Sequence, residues 1–121
     1  MKNLLLHILV IFSIPALADV PAAQKGEVDH LLKFVEQSDC IMIRNGTEHD
    51  SKEALSHIQV KYDYFRNNIK STEDFIKFSA SKSTMSGRYY TVQCPGKEEM
   101  KSRDWLLNEL ESFRQKSGLS E

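Results

Sequence analysis

Two cysteines, Cys40 and Cys94, constrain the fold of this chain more than any other feature of its sequence. An even cysteine count in an exported protein indicates a disulfide. The alternative is a metal pair shared with histidine, but neither cysteine has the CxxC or CxxxH spacing that is typical of zinc sites. A Cys40–Cys94 bridge would close a long loop and contribute about 4 kcal/mol of stability.

The N-terminal segment predicts export. Lys2 precedes a mostly apolar run that Pro15 ends, and Ala16-Leu17-Ala18 provides the small side chains that signal peptidase requires. We therefore expect a cleaved signal peptide at residues 1–18 and a single small domain at residues 19–121, located in the periplasm. An uncleaved membrane anchor is the alternative, but the apolar run is too short to span a bilayer. We expect no stable membrane anchor after cleavage.

The charge of the chain limits the class of partner. The sequence has 16 basic and 17 acidic residues, for a formal net charge of −1. A general nucleic-acid binder or a polybasic membrane-surface helix would show a basic excess. We therefore expect no nucleic-acid partner. The partner predicted for an exported domain of this kind is a periplasmic protein, a peptide or a glycan, which the sequence does not identify further.

The spacing of apolar residues predicts an α+β fold with about four helices and two short strands. Because Cys40 begins the first strand and Cys94 ends the second, a disulfide between them favours antiparallel neighbours. We expect the helices to pack on this short two-stranded antiparallel ribbon. The predicted helices cover residues 25–37 and 51–68, a short segment after Ser71 and a longer one after Ser102, and the strands cover residues 40–44 and 89–94.

Local signals mark the helix starts and the first turn. Asp50 with Glu53, and Ser71 with Asp74, have the spacing of an N-cap residue and its partner three residues later. Asn45-Gly46 is a turn signal, because both residues tolerate positive φ. These positions divide the central part of the chain into strand, turn and two helices.

Two motifs in the chain are specific enough to compare with known families. The first is Ile43-Arg44-Asn45-Gly46-Thr47-Glu48-His49 with Glu53-Ala54, His57 and Lys61-Tyr62. The second is Glu73-Asp74-Phe75-Ile76, Ala80-Ser81-Lys82-Ser83 and Ser86-Gly87-x-x-Tyr90-x-Val92, and Trp105-Leu106 fits as well. With these motifs the chain resembles the YfeK-like family of uncharacterised periplasmic proteins of Gram-negative bacteria, a domain of unknown function. The resemblance implies a periplasmic location and one small domain, and it implies no activity.

The first motif contains a candidate anion site. Arg44 offers a planar fork of donors, Asn45-Gly46 can present backbone N–H groups, and His49 lies just before a predicted helix start. The alternative is an ordinary turn in which Arg44 pairs with a neighbouring carboxylate. His49 and His57 flank Glu53, but His49 precedes the helix cap, so we expect no metal site.

Further candidates lie on the long helix and in a hydroxyl-rich loop. His57 and Tyr64 share one side of the helix, which would suit a polar recognition surface or a general base, or simply a solvated face. Ser83 and Ser86 could bind a ligand or their own backbone. No nucleophile motif surrounds them, apart from a short Ser-x-x-Lys match at Ser79 that recurs by chance.

The sequence supports three hypotheses for function. The first is a non-catalytic binding or accessory module for a protein, a peptide or an envelope glycan, without a cofactor. The second is a small hydrolase or transferase with a histidine base and an arginine anion site, and the third is a structural protein whose motifs specify only turns and caps. The candidate binding residues are Arg44, Asn45, His49, His57, Tyr64, Ser83 and Ser86.

Overall fold

The computed structural model describes residues 19–118 of the 121-residue chain. The predicted signal peptide at residues 1–18 lies outside the described residues. Within them, no helix is long and apolar enough to cross a membrane. The elements in chain order are α1 (Ala22–Gln37), β1 (Ile41–Arg44), β2 (Thr47–His49), α2 (Ser51–Tyr64), a 3-10 turn (Arg66–Asn68), α3 (Thr72–Ser79), β3 (Thr91–Gln93), β4 (Met100–Lys101) and α4 (Ser102–Lys116).

The α+β class and the antiparallel pairing of β1 with β3 are confirmed, but the prediction of a two-stranded ribbon is wrong. The sheet has four strands in the order β2-β1-β3-β4, all antiparallel. Asn45 and Gly46 have φ of 49° and 78°, so they form a two-residue hairpin turn that returns the chain directly along β1. Both additional strands, β2 and β4, are too short to show alternation in the sequence.

The predicted disulfide is present. Cys40 and Cys94 are bonded, with their Cα atoms 4.2 Å apart. They flank the paired strands, because Ile41 lies opposite Gln93 in the register of β1 with β3. The bridge therefore fixes the end of the sheet where β1 begins and β3 ends.

The core lies where the helices meet one another and the sheet. The sheet contributes Met42 and Val92, which face each other across β1 and β3 and are both buried. Trp105 is partly buried and packs on Phe34, with ring centroids 4.7 Å apart. The buried helical side chains in this core are Val28, Leu31, Val35, Ala54, Ile58, Phe75, Ile76, Leu106 and Leu110.

Both predicted N-caps are confirmed. The Asp50 carboxylate accepts the Glu53 N–H at 2.8 Å, and the Ser71 hydroxyl accepts the Asp74 N–H at 3.0 Å. The helix after Asp50 is shorter than predicted, since it ends at Tyr64 and a 3-10 turn replaces its last residues. The two caps start α2 and α3 at fixed positions, which sets the phase of the α2 side chains toward the sheet.

Candidate functional site

Arg44 and His57 come together because β1 and α2 lie side by side. Arg44 is the last residue of β1, and His57 lies in the second turn of α2, after the β2 return strand. The Arg44 Nη1 atom is 2.7 Å from His57 Nδ1 and 3.0 Å from His57 Nε2. Because a guanidinium only donates, the His57 nitrogen that it contacts is the acceptor.

Tyr90 and Lys61 extend this pair. The Tyr90 hydroxyl lies 3.0 Å from His57 Nε2 and accepts from the Lys61 ammonium at 3.3 Å. The ammonium also donates to the Lys82 backbone oxygen at 2.7 Å. An isolated bridge between Lys82 and Tyr89 holds that oxygen in place. Arg44, His57, Lys61 and Tyr90 therefore form one connected group, which we call the basic floor.

The charges of the basic floor are not compensated within the described protein. Lys61 is 8% exposed and Tyr90 is 2% exposed. No carboxylate within residues 19–118 forms a salt bridge with Arg44 or Lys61. The Arg44 Nε atom is buried and has no hydrogen-bond partner in this part of the chain. Such an arrangement is costly, because buried charges are normally paired and buried donors normally bonded.

The pKa shifts follow from this environment. Burial, together with the nearby Arg44, Lys61 and His49, lowers the pKa of His57 to about 4. Burial, and then the Arg44 charge, also lowers the pKa of Lys61, while burial raises the pKa of the Tyr90 hydroxyl. His57 is therefore a neutral imidazole at pH 7, placed between two cationic side chains.

The basic floor lies in a cleft of about 390 Å³ with an apolar rim. Val60, Tyr64 and Met85 are 64%, 79% and 99% exposed, and all three line this cleft. They are three of the four large hydrophobic side chains that are exposed within the described residues. We call this feature the Arg44 cleft. It combines buried positive charge with exposed apolar surface, which is typical of a ligand-binding site.

A hydrogen-bonded loop forms one side of the Arg44 cleft. Asn45 Nδ2 donates to the Ser83 hydroxyl at 3.3 Å, and the Ser86 hydroxyl donates to Asn45 Oδ1 at 2.6 Å. The Ser86 N–H also donates to the Ser83 hydroxyl, at 3.2 Å. These bonds tie the loop over residues 83–87 to the β1–β2 turn, and the loop presents Met85 to solvent.

His49 lies beside the Arg44 cleft rather than in it. It lines an adjoining depression of about 460 Å³ that also includes Arg44, His57 and Val60. Its Nδ1 atom is 3.1 Å from Glu53 Oε2. Among residues 19–118, His, Cys, Asp and Glu side chains form no group of three that could hold a metal ion.

The structure brings the sequence-predicted residues together on one surface. Five of them line the Arg44 cleft, Ser86 hydrogen bonds to its wall, and His49 lines the adjoining depression. Their role in binding stays a prediction. Lys61 and Tyr90 were named from the sequence only as parts of the family motifs, not as candidate binding residues. The i, i+4 spacing of His57 and Lys61 was the available signal for the basic floor. The five residues in the cleft are Arg44, Asn45, His57, Tyr64 and Ser83.

The fold and site define a disulfide-linked α+β domain with a basic cleft between the β1–β2 hairpin and α2. Residues 22–114 match a family described as "Family of unknown function (DUF5329)", and the chain belongs to this family. It is also similar to "Uncharacterized protein YfeK" of Salmonella typhimurium, with 34% identity over 82 residues, which cover 67% of this chain and 68% of that protein. The resemblance seen in the motifs is thus confirmed. No solved structure matches the chain.

Proposed function

We propose that this protein is a non-catalytic binding module of the periplasm, and that its Arg44 cleft receives an anionic group of a protein, peptide or envelope glycan. One observation carries the proposal: the half-buried Arg44 and the buried Lys61 have no anionic partner within residues 19–118, yet they lie at the floor of a cleft with an exposed apolar rim. An incoming anion would supply the missing charge.

The donors of the basic floor suit this role. The Arg44 guanidinium is a planar fork that matches a carboxylate or a phosphate, while the Lys61 ammonium acts as a point charge. His57 is neutral and lies between them, so it adds no third charge to be compensated. Because the floor is partly shielded from water, a charge-assisted hydrogen bond formed there is stronger than one at an exposed surface.

Catalysis is less well supported. A histidine base works best when its pKa lies near the operating pH, whereas the pKa of His57 is lowered to about 4. Within the described residues His57 contacts Arg44 and Tyr90 rather than a carboxylate that would orient and activate it. Nor does a purely structural role account for the half-buried Arg44 and the buried Lys61, which have no anionic partner within residues 19–118.

The test is a periplasmic crosslinking pull-down with the wild-type protein and an Arg44→Ala, His57→Ala double variant. We expect the wild type to capture a partner that the double variant loses. An Arg103→Ala, His30→Ala double variant is the matched control, because it removes the same two side-chain types outside the cleft and should keep the partner. Thermal melting would first establish that all three proteins are folded.

Loss of the partner from the cleft variant alone would support a binding module with this surface. Equal capture by the cleft variant and the control would place the contact elsewhere. An empty pull-down from the wild type, together with no retention on glycan or peptide supports, would contradict the proposal.

A further inference from the structure

We infer that the Arg44 cleft binds the C-terminal carboxylate of a polypeptide whose last side chain is apolar. This inference deepens the proposed function and depends on it. It rests on how closely the charged and apolar groups of the cleft are interleaved, on the number of charges at its floor and on the kind of apolar surface at its rim.

The interleaving comes from one face of α2. His57, Val60, Lys61 and Tyr64 follow the i, i+3, i+4, i+7 spacing, so they project from the same side of the helix. At 1.5 Å of rise per residue, the four positions span only about 10 Å. A matching ligand must carry its charge and its apolar part within about 10 Å of each other. The last residue of a polypeptide has this form, since the carboxylate and the side chain share one Cα atom.

The charge of the basic floor fits a carboxylate. Arg44 can engage a planar carboxylate with two parallel hydrogen bonds, and Lys61 can approach one of its oxygens as a point charge. The neutral His57 between them accepts or donates one hydrogen bond without adding charge. A bound carboxylate would compensate one of the two cations of the floor.

The rim favours a peptide over a sugar or a lipid. Val60 and Met85 offer aliphatic surface, which gains little from a hydrated glycan, and only Tyr64 could stack on a sugar ring. The rim side chains are exposed, so a long acyl chain lying on them would remain largely in water. Met85 is unbranched and flexible, and such a side chain packs against apolar partners of different shapes.

The experiment measures binding of the full chain, as processed by the cell, to an immobilised array of peptides with free C-termini. The array carries each of the twenty amino acids at the last position, and every peptide is also present with an amidated C-terminus. We expect the strongest retention on free-acid peptides that end in an apolar residue. Amidation should weaken this binding about tenfold to hundredfold, as expected for the loss of a charge-assisted contact.

Variants assign the binding to the cleft. Arg44→Gln and Lys61→Met should each reduce retention of the preferred peptide by about tenfold or more. Lys101→Met and Arg103→Gln are the matched controls, because they remove the same side-chain types outside the cleft, and they should bind as the wild type does. Lys61→Met also guards against misfolding, since a buried cation is replaced by an apolar side chain of similar length.

Two results would overturn the inference. Equal retention of amidated and free-acid peptides would show that the carboxylate is not recognised. Retention on anionic phosphatidylglycerol vesicles or on acidic peptidoglycan fragments, without retention on any peptide, would assign another ligand class and leave the binding function standing. If the pull-down captures a partner that the peptides do not mimic, only this inference fails. If neither experiment detects binding, the proposed function fails as well.

Discussion

Two clusters of buried charge in this domain are built in opposite ways. In the first, Glu27 of α1 accepts from Arg114 of α4 at 2.7 and 3.0 Å and from the Thr72 hydroxyl at 2.6 Å. Arg114 also pairs with Glu73 of α3 at 2.9 Å. We call these four residues the paired cluster. Each of its charges meets an opposite charge, and together its contacts join three helices.

Among residues 19–118, the basic floor of the Arg44 cleft has no such partners. The pKa shifts of the cations show the difference. The hydrogen bonds that Arg114 donates to Glu27 and Glu73 raise the pKa of Arg114. In contrast, burial and the neighbouring Arg44 lower the pKa of Lys61. In the paired cluster the protein itself stabilises the charged form. In the basic floor it destabilises the charged form, and this difference is the reason that we propose a ligand as the source of the compensating anion.

The largest expected effect comes from breaking the paired cluster. Arg114→Met leaves the Glu27 carboxylate, which is only 5% exposed, without its cation. We expect the free energy of unfolding to fall by about 3–5 kcal/mol, the usual result of removing one partner of a buried pair. Urea unfolding followed by circular dichroism measures the change.

The control for this prediction is Arg103→Met. The Arg103 guanidinium contacts the adjacent Asp104 at 3.2 Å and is 39% exposed, so its removal should change the free energy of unfolding by less than about 1 kcal/mol. If both substitutions destabilise the protein equally, the paired cluster does not stabilise the fold as the contacts indicate.

Lys61→Met should have a smaller effect on stability, and its sign distinguishes the two clusters. The substitution removes a buried cation that has no anionic partner within residues 19–118, while the Met side chain still fills its space. We expect the free energy of unfolding to stay the same or to rise by about 1 kcal/mol, because the lost hydrogen bond to the Lys82 oxygen partly offsets the gain. Ligand capture should be lost.

Urea unfolding of the Lys61→Met variant, run beside the wild type, checks this prediction. A loss of more than about 2 kcal/mol would identify Lys61 as a structural residue whose two hydrogen bonds outweigh its unpaired charge. In that case the contrast between the paired cluster and the basic floor would fail.

The sequence predicted the elements that local signals define. The N-caps Asp50 and Ser71 were recognised because a side-chain acceptor three residues before an N–H is a local pattern. The Cys40–Cys94 bridge followed from an even cysteine count in a chain with a predicted signal peptide. The strands β2 and β4 were missed because three- and two-residue strands show no periodicity, and they form only where a neighbouring strand supplies hydrogen bonds.

Part of the candidate site was predicted from the sequence, but its connections were not. Arg44 was predicted as part of an anion site with Asn45-Gly46 and His49, while His57 was predicted separately, on a polar helix face or as a general base. Tyr90 is 33 residues from His57 in sequence, so their contact depends on the pairing of β1 with β3. The burial of Lys61 depends on the Lys82–Tyr89 bridge, which has no sequence signal. Non-local contacts of this kind convert a polar helix face into a basic floor.

The pH dependence of stability at His57 tests the contrast between the paired cluster and the basic floor. Its pKa is about 4 in the folded protein, against an ordinary value of 6.5, because the fold penalises the imidazolium. Between these values the unfolded chain binds the proton and the folded chain does not. Stability is therefore complete above about pH 6.5 and falls as the pH drops toward about 4. We expect His57→Gln to flatten this part of the stability curve.

The measurement is urea unfolding at about pH 7 and at about pH 5. Between these two pH values, histidine is the residue type whose contribution to the free energy of unfolding changes strongly. The paired cluster affects stability only at lower pH. Arg114 lowers the pKa of Glu27 below its ordinary value of 4.5, so the contribution of this pair to stability is lost only when the pH falls below 4.5. His30→Gln is the control outside the cleft, where the imidazole contacts the Glu109 carboxylate at 2.6 Å rather than a cation, and it should not flatten the curve. A slope flattened equally by both substitutions would show that the effect does not come from the cleft.

Ser86→Ala should have the smallest effect and test how the cleft wall is held. It removes the hydroxyl that donates to Asn45 at 2.6 Å and accepts from the Arg88 N–H at 3.2 Å. Since Ser86 is exposed, we expect the free energy of unfolding to fall by less than about 1 kcal/mol. Amide hydrogen exchange should become faster over residues 83–88 and stay unchanged in α2.

Thr84→Ala is the control, because it removes another hydroxyl of the same loop. Faster exchange in both variants would mean that the loop is held by its backbone rather than by the Ser86–Asn45 contact. Faster exchange in Ser86→Ala alone would show that neutral hydrogen bonds, each worth about 1 kcal/mol, order the wall that presents Met85. Such a wall can adjust to a ligand at little cost, whereas the paired cluster on the other helices cannot move without separating buried charges.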